Sequence, residues 1–175
     1  MSSVPGSRQI GIRLPGYEIP MINERAVRAS AGILFLCGGI AFANAYFKQS
    51  IQPLQPFGMI FMLDMLIRVT LGDRWSPSMF LGRLAVRNQQ PEWVGAPQKK
   101  FAWWLGFSLA TISCLGMGLL SAPLSLTLAL CSVCLVFLFL ETSFGICVGC
   151  VLQARFSKEA PQYCAGGVCP APTAR

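Results

Sequence analysis

The chain has 175 residues and a net charge of +7; 54% of its residues are hydrophobic, only 12% are charged, and none is histidine. A soluble domain averages about 25% charged residues, so most of this surface is expected to face lipid rather than water. Histidine-based triads, histidine-ligated haem and histidine-containing zinc catalysis are excluded outright, and the basic excess fits membrane loops better than nucleic acid.

Residues 1–22 are polar, carry Pro5, Pro15 and Pro20, and lack the apolar core of a cleavable signal peptide. They read as a flexible or surface-lying tail, with the first apolar helix as its own insertion signal. Four spans are predicted in the following region, 23–152. The first runs from Val27 to Phe47, with Asn23 as its N-cap. The second, Pro56 to Leu71, is the weakest because it is short and contains Asp64 and Arg68. The third runs from Phe101 to Ser121 and the fourth from Leu124 to Leu152. A hydrocarbon core of about 30 Å needs roughly 20 residues, with allowance for tilt and thinning.

Thirteen of the fourteen Lys and Arg residues fall in the N-terminal tail and helix entry, in the stretch from Arg68 through the 72–100 loop, or in the C-terminal tail 153–175; the exception is Lys48. That alternation places both termini and the 72–100 loop on the cytoplasmic face of a bacterial inner membrane. Trp75, Trp93, Trp103 and Trp104 then read as interfacial anchors. Within the loop, Ser76 as N-cap and Pro77 at the first helical position start a short interfacial helix. Phe80, Leu81 and Leu84 share one of its faces, and Arg83 and Arg87 another. The fold class is therefore all-α: a polytopic membrane protein with four transmembrane helices and one interfacial helix.

The residues that carry chemistry follow from this topology. Cys147 and Cys150 form a C-x-x-C pair at the cytoplasmic end of the fourth span, interleaved with Gly145 and Gly149. In a reducing compartment such a pair is more often redox-active or a metal half-site than a stable disulfide. Arg155 and its basic neighbours would favour the thiolate, and the alternative is small-residue helix packing. Cys164 and Cys169 follow in a polar tail that cannot form a core. Thiol exchange among these four cysteines is the favoured reading. The alternative is an all-cysteine metal site, with zinc at the usual ligand spacings and an iron–sulfur cluster less well matched. The exchange reading requires no cofactor.

The remaining cysteines read as packing residues: Cys131 and Cys134 in the outer half of span four, Cys37 beside Gly38 and Gly39, and Cys114 in the stripe Gly106, Ala110, Cys114, Gly118. Asp64 and Arg68 stand one helical turn apart and can pair. With Glu141 they are expected to form an intramembrane charge cluster between spans two and four. Such a cluster binds an anion, relays a proton or locks two helices, and the lock is favoured.

Taken together, "NERAVR", "LDMLIR", "DRWSP" with "LGRLAVR", "APQKKFAWWLG" and "LETSFGICVGC" resemble a bacterial membrane family catalogued as domain of unknown function 4395, over about residues 22–152. The resemblance implies a four-span helical fold and, loosely, thioredoxin-like or sulfurtransferase partners; it supplies no activity. Quinone-coupled disulfide oxidases of the inner membrane are a poorer comparison, because their reactive cysteines lie in outer loops and both outer connections here lack cysteine. The leading expectation is a membrane-anchored dithiol protein that exchanges disulfides or sulfane sulfur. A non-enzymatic subunit or scaffold with a metal-ordered tail is the alternative. A small sulfur-anion carrier fits less well, since the two halves show no inverted repeat.

Overall fold

The computed structural model describes residues 10–118 and 123–156, with side chains to Gln153. Its long elements are helices: α1 (Glu24–Lys48), α2 (Leu54–Thr70), α4 (Ala96–Gly118) and α5 (Leu124–Phe139), with the short α3 (Pro77–Ala85) between α2 and α4. A π-helical turn, Leu140–Phe144, ends α5, and a short α6 (Val148–Phe156) follows it. α1, α4 and α5 with its π-turn are long and apolar enough to cross a membrane; the 17-residue α2 is not counted with them. The surface of these helices is what lipid requires. Leu36, Ile40, Phe47, Ile60, Ile112 and Val136 are all exposed, and α5 buries only Thr127 and Leu138.

A two-stranded ribbon that sequence periodicity did not announce organises one end. β1 (Met21–Asn23) pairs antiparallel with β2 (Trp93–Gly95), and each strand runs directly into a long helix. Glu24 N–H donates to Glu92 O (2.8 Å), and Ala96 N–H to Pro20 O (2.9 Å). The ribbon thus pins the first turns of α1 and α4 side by side. Asn23 caps α1, its side chain accepting from Arg25 N–H. Residues 10–22 are not a loose tail: Ile10 is buried, Ile12 bridges Met21, and Gly11 N–H donates to Asp73. A side chain at Gly11, where φ is +83°, would strike the Met21 carbonyl 2.6 Å away. Glycine permits that close pass.

α2 runs antiparallel to α1. Leu54 at its start shares an apolar cluster with Ala45, and Arg68 near its end reaches Ser30 (3.2 Å). The larger core joins all four long helices through Val27, Leu34, Phe61, Met65, Trp103, Ala110 and Leu138. In the small-residue stripe of α4, Gly106 and Cys114 lie against Met65 and Gly58 of α2, while Gly118 faces open space. Cys37 is exposed and does not pack; its neighbour Gly38 makes the close contact, with Phe57 and Leu135.

α3 starts as its sequence demands, Ser76 accepting from Met79 N–H with Pro77 behind it. It is docked rather than free. Met79 and Gly82 are buried against α1 and Ser78 against Asp64 and Arg68 of α2, and Gly82 lies so close to the Ala26 carbonyl that no Cβ fits. Phe80, Leu81 and Leu84 point outward, 61%, 45% and 51% exposed, so the docked helix keeps an apolar outer face.

The expected fourth helix, Leu124 to Leu152, does not continue as one rod. Gly145 adopts φ +68°, a left-handed cap, and α6 begins three residues later. Arg28 of α1 closes the break, donating to Thr142 O (3.0 Å) and Ser143 O (3.3 Å). Carbonyls freed at a helix end need such partners, and α6 then packs back on α4.

Candidate functional site

Two buried polar clusters lie at the ribbon end. The first is built on α2. Arg68 Nε donates to Asp64 (2.9 Å), and both side chains are nearly inaccessible. Ser76 and Ser78, at the start of α3, donate to the same carboxylate (2.7 and 2.5 Å). Arg68 Nη2 also donates to Ser78 (2.6 Å) and to Ser30 of α1 (3.2 Å), and the guanidinium stands 5.3 Å from the Trp103 ring centre of α4. One positive and one negative charge are thus matched, with hydroxyls on both. Burial of a charge is tolerable only with such complete pairing. Trp103 is therefore no interfacial anchor: it is 3% exposed, whereas Trp75 is 71% and Trp104 42% exposed.

The expected third member, Glu141, belongs to a different cluster. Among the described residues no ion pair joins it to Arg68. It pairs with Lys99 (2.9 Å), and Lys99 also pairs with Glu24 (2.8 Å). The ribbon is the cause. It sets Glu24, the first residue of α1, beside Lys99 in the first turn of α4, and the π-turn of α5 swings Glu141 in from the third side. Lys99 is 4% exposed, although the sequence pattern counts it among the basic residues of the 72–100 loop. The reason is that α4 begins five residues earlier than its apolar stretch. A cation in the first turn of a helix is disfavoured by the helix dipole, and two carboxylates offset this.

Cys147 and Cys150 adjoin this second cluster. The span ends at Phe144, so both cysteines lie beyond it. Cys147 immediately precedes α6, its carbonyl accepting from Val151 N–H (3.0 Å), and Cys150 sits in the first turn. Hydrogen bonding from the Cys150 thiol does most to hold the Cys147 pKa below an ordinary thiol's; burial opposes it and the Lys99 ammonium assists. Cys150 is pushed far up, because its proton is committed to Cys147 and the group is buried. A thiolate at a helix N-terminus beside a cation is the reactive form of cysteine. Gly149 makes the placement possible: a methyl there would stand 2.5 Å from Ala102 of α4.

A cavity of about 60 Å³ joins the two clusters. Arg68, Trp103 and Glu141 line it together with Val148 and Gly149, the two residues between the cysteines. Cys134 borders the same cavity, and Cys131 lies 3.8 Å from Ser113, as packing residues. Arg155 has no described side chain, and Cys164 and Cys169 lie outside the described residues, as does any metal set that includes them. Among the described residues no group of three or more His, Cys, Asp or Glu side chains is placed to hold a metal ion.

A family model with the description Domain of unknown function (DUF4395) matches residues 22–158. The chain belongs to the DUF4395 family. The matched stretch of this DUF4395 protein begins in β1 and contains both charge clusters, the cavity and the Cys147–Cys150 pair; Cys164 and Cys169 follow it. No curated protein and no solved structure matches the chain.

Sequence reasoning missed Glu24, Lys99 and Arg28 as site residues of this DUF4395 protein. Each sits in a stretch whose charge is fully explained by topology. The available signal was positional: Glu24 and Lys99 fall at the first turns of two apolar helices.

Proposed function

We propose that the protein is a membrane-anchored dithiol protein that exchanges disulfides or sulfane sulfur at the cytoplasmic face of a bacterial inner membrane, with Cys147 as nucleophile and Cys150 as resolving thiol. One observation carries the reading: Cys147 is buried immediately before α6, with Cys150 in the first turn of that helix, and Cys150 and the buried Lys99 ammonium hold its thiol pKa down. In the exchange, the Cys147 thiolate attacks one sulfur of a partner disulfide and releases the other as a thiolate. Cys150 then attacks Cys147, closes the Cys147–Cys150 disulfide and releases the second partner thiol. Two thiols and one disulfide exchange places, so electrons balance. With a persulfide partner, Cys147 attacks the outer sulfur and the partner leaves as a thiolate. A thioredoxin-like or sulfurtransferase protein supplies either chemistry.

In this reading the chain crosses the bilayer four times with both termini inside. The antiparallel return of α2, about 26 Å long at 1.5 Å per residue, supports the fourth crossing. So does the gathering of residues 10–23, α3 and the Cys147–Cys150 pair at one end. The exposed apolar face of α3 suits the inner leaflet. Cys164 and Cys169 act as the second pair. From Phe156 to Cys164 is eight residues, up to about 28 Å of extended chain, against about 14 Å for the whole of α6.

Mass-spectrometric mapping of alkylation at Cys147, Cys150, Cys164 and Cys169, with and without a strong chelator, tests this. Preferential labelling of Cys147 without chelator, or trapped disulfides or persulfides among the four, is expected. Protection that the chelator removes would replace the reading with a metal-ordered subunit. Full activity of Cys147→Ser and Cys150→Ser at normal membrane levels would refute it.

A further inference from the structure

Cys150 holds the one proton that must move before the intramolecular disulfide can close. Cys150 is half-buried in the first turn of α6, beside the buried Cys147, and Lys99 and Glu141 are the charged groups that act on both. Some base has to receive that proton. The candidates are the two carboxylates on Lys99, and they are not equivalent. Glu24 is sealed, with a side chain 1% exposed and both carboxylate oxygens within 3.0 Å of the ammonium. Glu141 is 15% exposed, hydrogen-bonds Lys99 through Oε1, and borders the cavity. That cavity also touches Val148 and Gly149, the residues between the two cysteines. Its volume of about 60 Å³ exceeds what one water needs, roughly 15 Å³, and Glu141 and Arg68 are its charged lining groups.

The position of Glu141 is itself built. It lies in the π-turn, a helix form frequent at functional sites. Arg28 fixes the carbonyls just after it, and Gly145 N–H donates back to Glu141 O (3.1 Å). An ordinary α-helical turn through Gly145 would carry residues 147–150 onward instead of folding them back on α4.

We propose that Glu141 is the general base that takes the Cys150 proton when Cys150 attacks the mixed disulfide at Cys147. This rests on the dithiol reading above. The Cys150 sulfur bonds to the Cys147 sulfur, the bond from Cys147 to the partner breaks, and its electron pair leaves on the partner thiolate. The proton passes to Glu141 and then, through the cavity, to the departing thiolate or solvent. The charged and titratable groups around Glu141 are Lys99 of α4, Glu24 and Arg28 of α1, Arg68 of α2 across the cavity, and the two cysteines of α6.

The test uses the full chain in lipid nanodiscs, mixed with oxidised glutathione and quenched in acid at intervals. Mass spectrometry then follows the peptide that carries Cys147 and Cys150. In the wild type the glutathione adduct at Cys147 forms and gives way to the Cys147–Cys150 disulfide. In Glu141→Gln the adduct is expected to form at least as fast, because a negative charge near Cys147 is gone. Its conversion is expected to slow by about 100-fold, the scale of a lost general base, and to rise with hydroxide concentration; Glu141→Asp restores part of the rate. A conversion rate in Glu141→Gln within twofold of wild type, with an unchanged pH profile, overturns the role of Glu141 and leaves the dithiol reading standing. No adduct at Cys147 in the wild type overturns both. Should Glu141→Gln fail to fold, Glu141→Asp decides: its adduct forms as in the wild type while conversion slows, and a wild-type conversion rate overturns the proposal.

Discussion

Two buried charge clusters share one cavity and are built on opposite plans. Around Asp64 and Arg68 the charges match one to one, and three serines complete the hydrogen bonding. Around Lys99 two carboxylates share one ammonium, and the neighbours are thiols rather than hydroxyls. The first plan leaves nothing uncommitted and ties α1, α2, α3 and α4 together. The second ties α1, α4 and the π-turn of α5 together and leaves an excess of negative charge beside a sulfur pair.

The largest break in this contrast is expected at the matched cluster. Arg68→Met would strand Asp64 without its counter-ion, a loss of about 3–5 kcal/mol, read as a collapse of thermal stability in detergent. Unchanged folding with lost thiol exchange would mean that Arg68 serves the chemistry and not the lock. Gly149→Ala comes next. Its methyl would overlap Ala102, and overpacking of this kind costs about 1–3 kcal/mol. If α6 shifts to relieve it, Cys147 should also lose its preferential alkylation.

Lys99→Met strands the buried Glu24 and so also lowers stability, but its distinguishing effect is on reactivity. Removing the ammonium is expected to slow alkylation of Cys147 at pH 7 about tenfold, equal to one unit or about 1.4 kcal/mol. An unchanged rate would show that the helix start and Cys150 suffice. The smallest effect sharpens the pair itself. The Cys147 pKa is lowered, so its thiolate persists to lower pH, and its alkylation should reach half-maximum below the usual thiol value near 8.5. Cys150 is raised and should stay unlabelled through the same range. Cys150→Ala should move the Cys147 midpoint upward, since the Cys150 thiol is the foremost cause of the lowering.

Some of this architecture was legible because its signals are local. Ser76–Pro77 as a helix start, the N-cap at Asn23 and the Asp64–Arg68 pair one turn apart depend on a few neighbouring residues and physical spacing. Other features depend on distant segments meeting. Lys99 reads as a loop charge until the ribbon brings Glu24 to it. Glu141 reads as a partner for Arg68 until the π-turn redirects it to Lys99. Trp103 reads as an anchor at the membrane surface until Arg68 is found over its ring.

Composition and charge placement alone pointed to a mostly helical chain with helices long and apolar enough to cross a membrane, because exposing so apolar a chain to water is unfavourable at every turn of helix. The C-x-x-C pair was plain in the sequence, but it lies beyond the last candidate span, not within its end. Tertiary structure decided what surrounds that pair. Gly145 ends the span, Arg28 binds the freed carbonyls, and a three-residue ribbon aligns two helix starts 72 residues apart, Glu24 and Ala96. Buried charges choose partners by proximity in space, and only the folded chain sets that proximity.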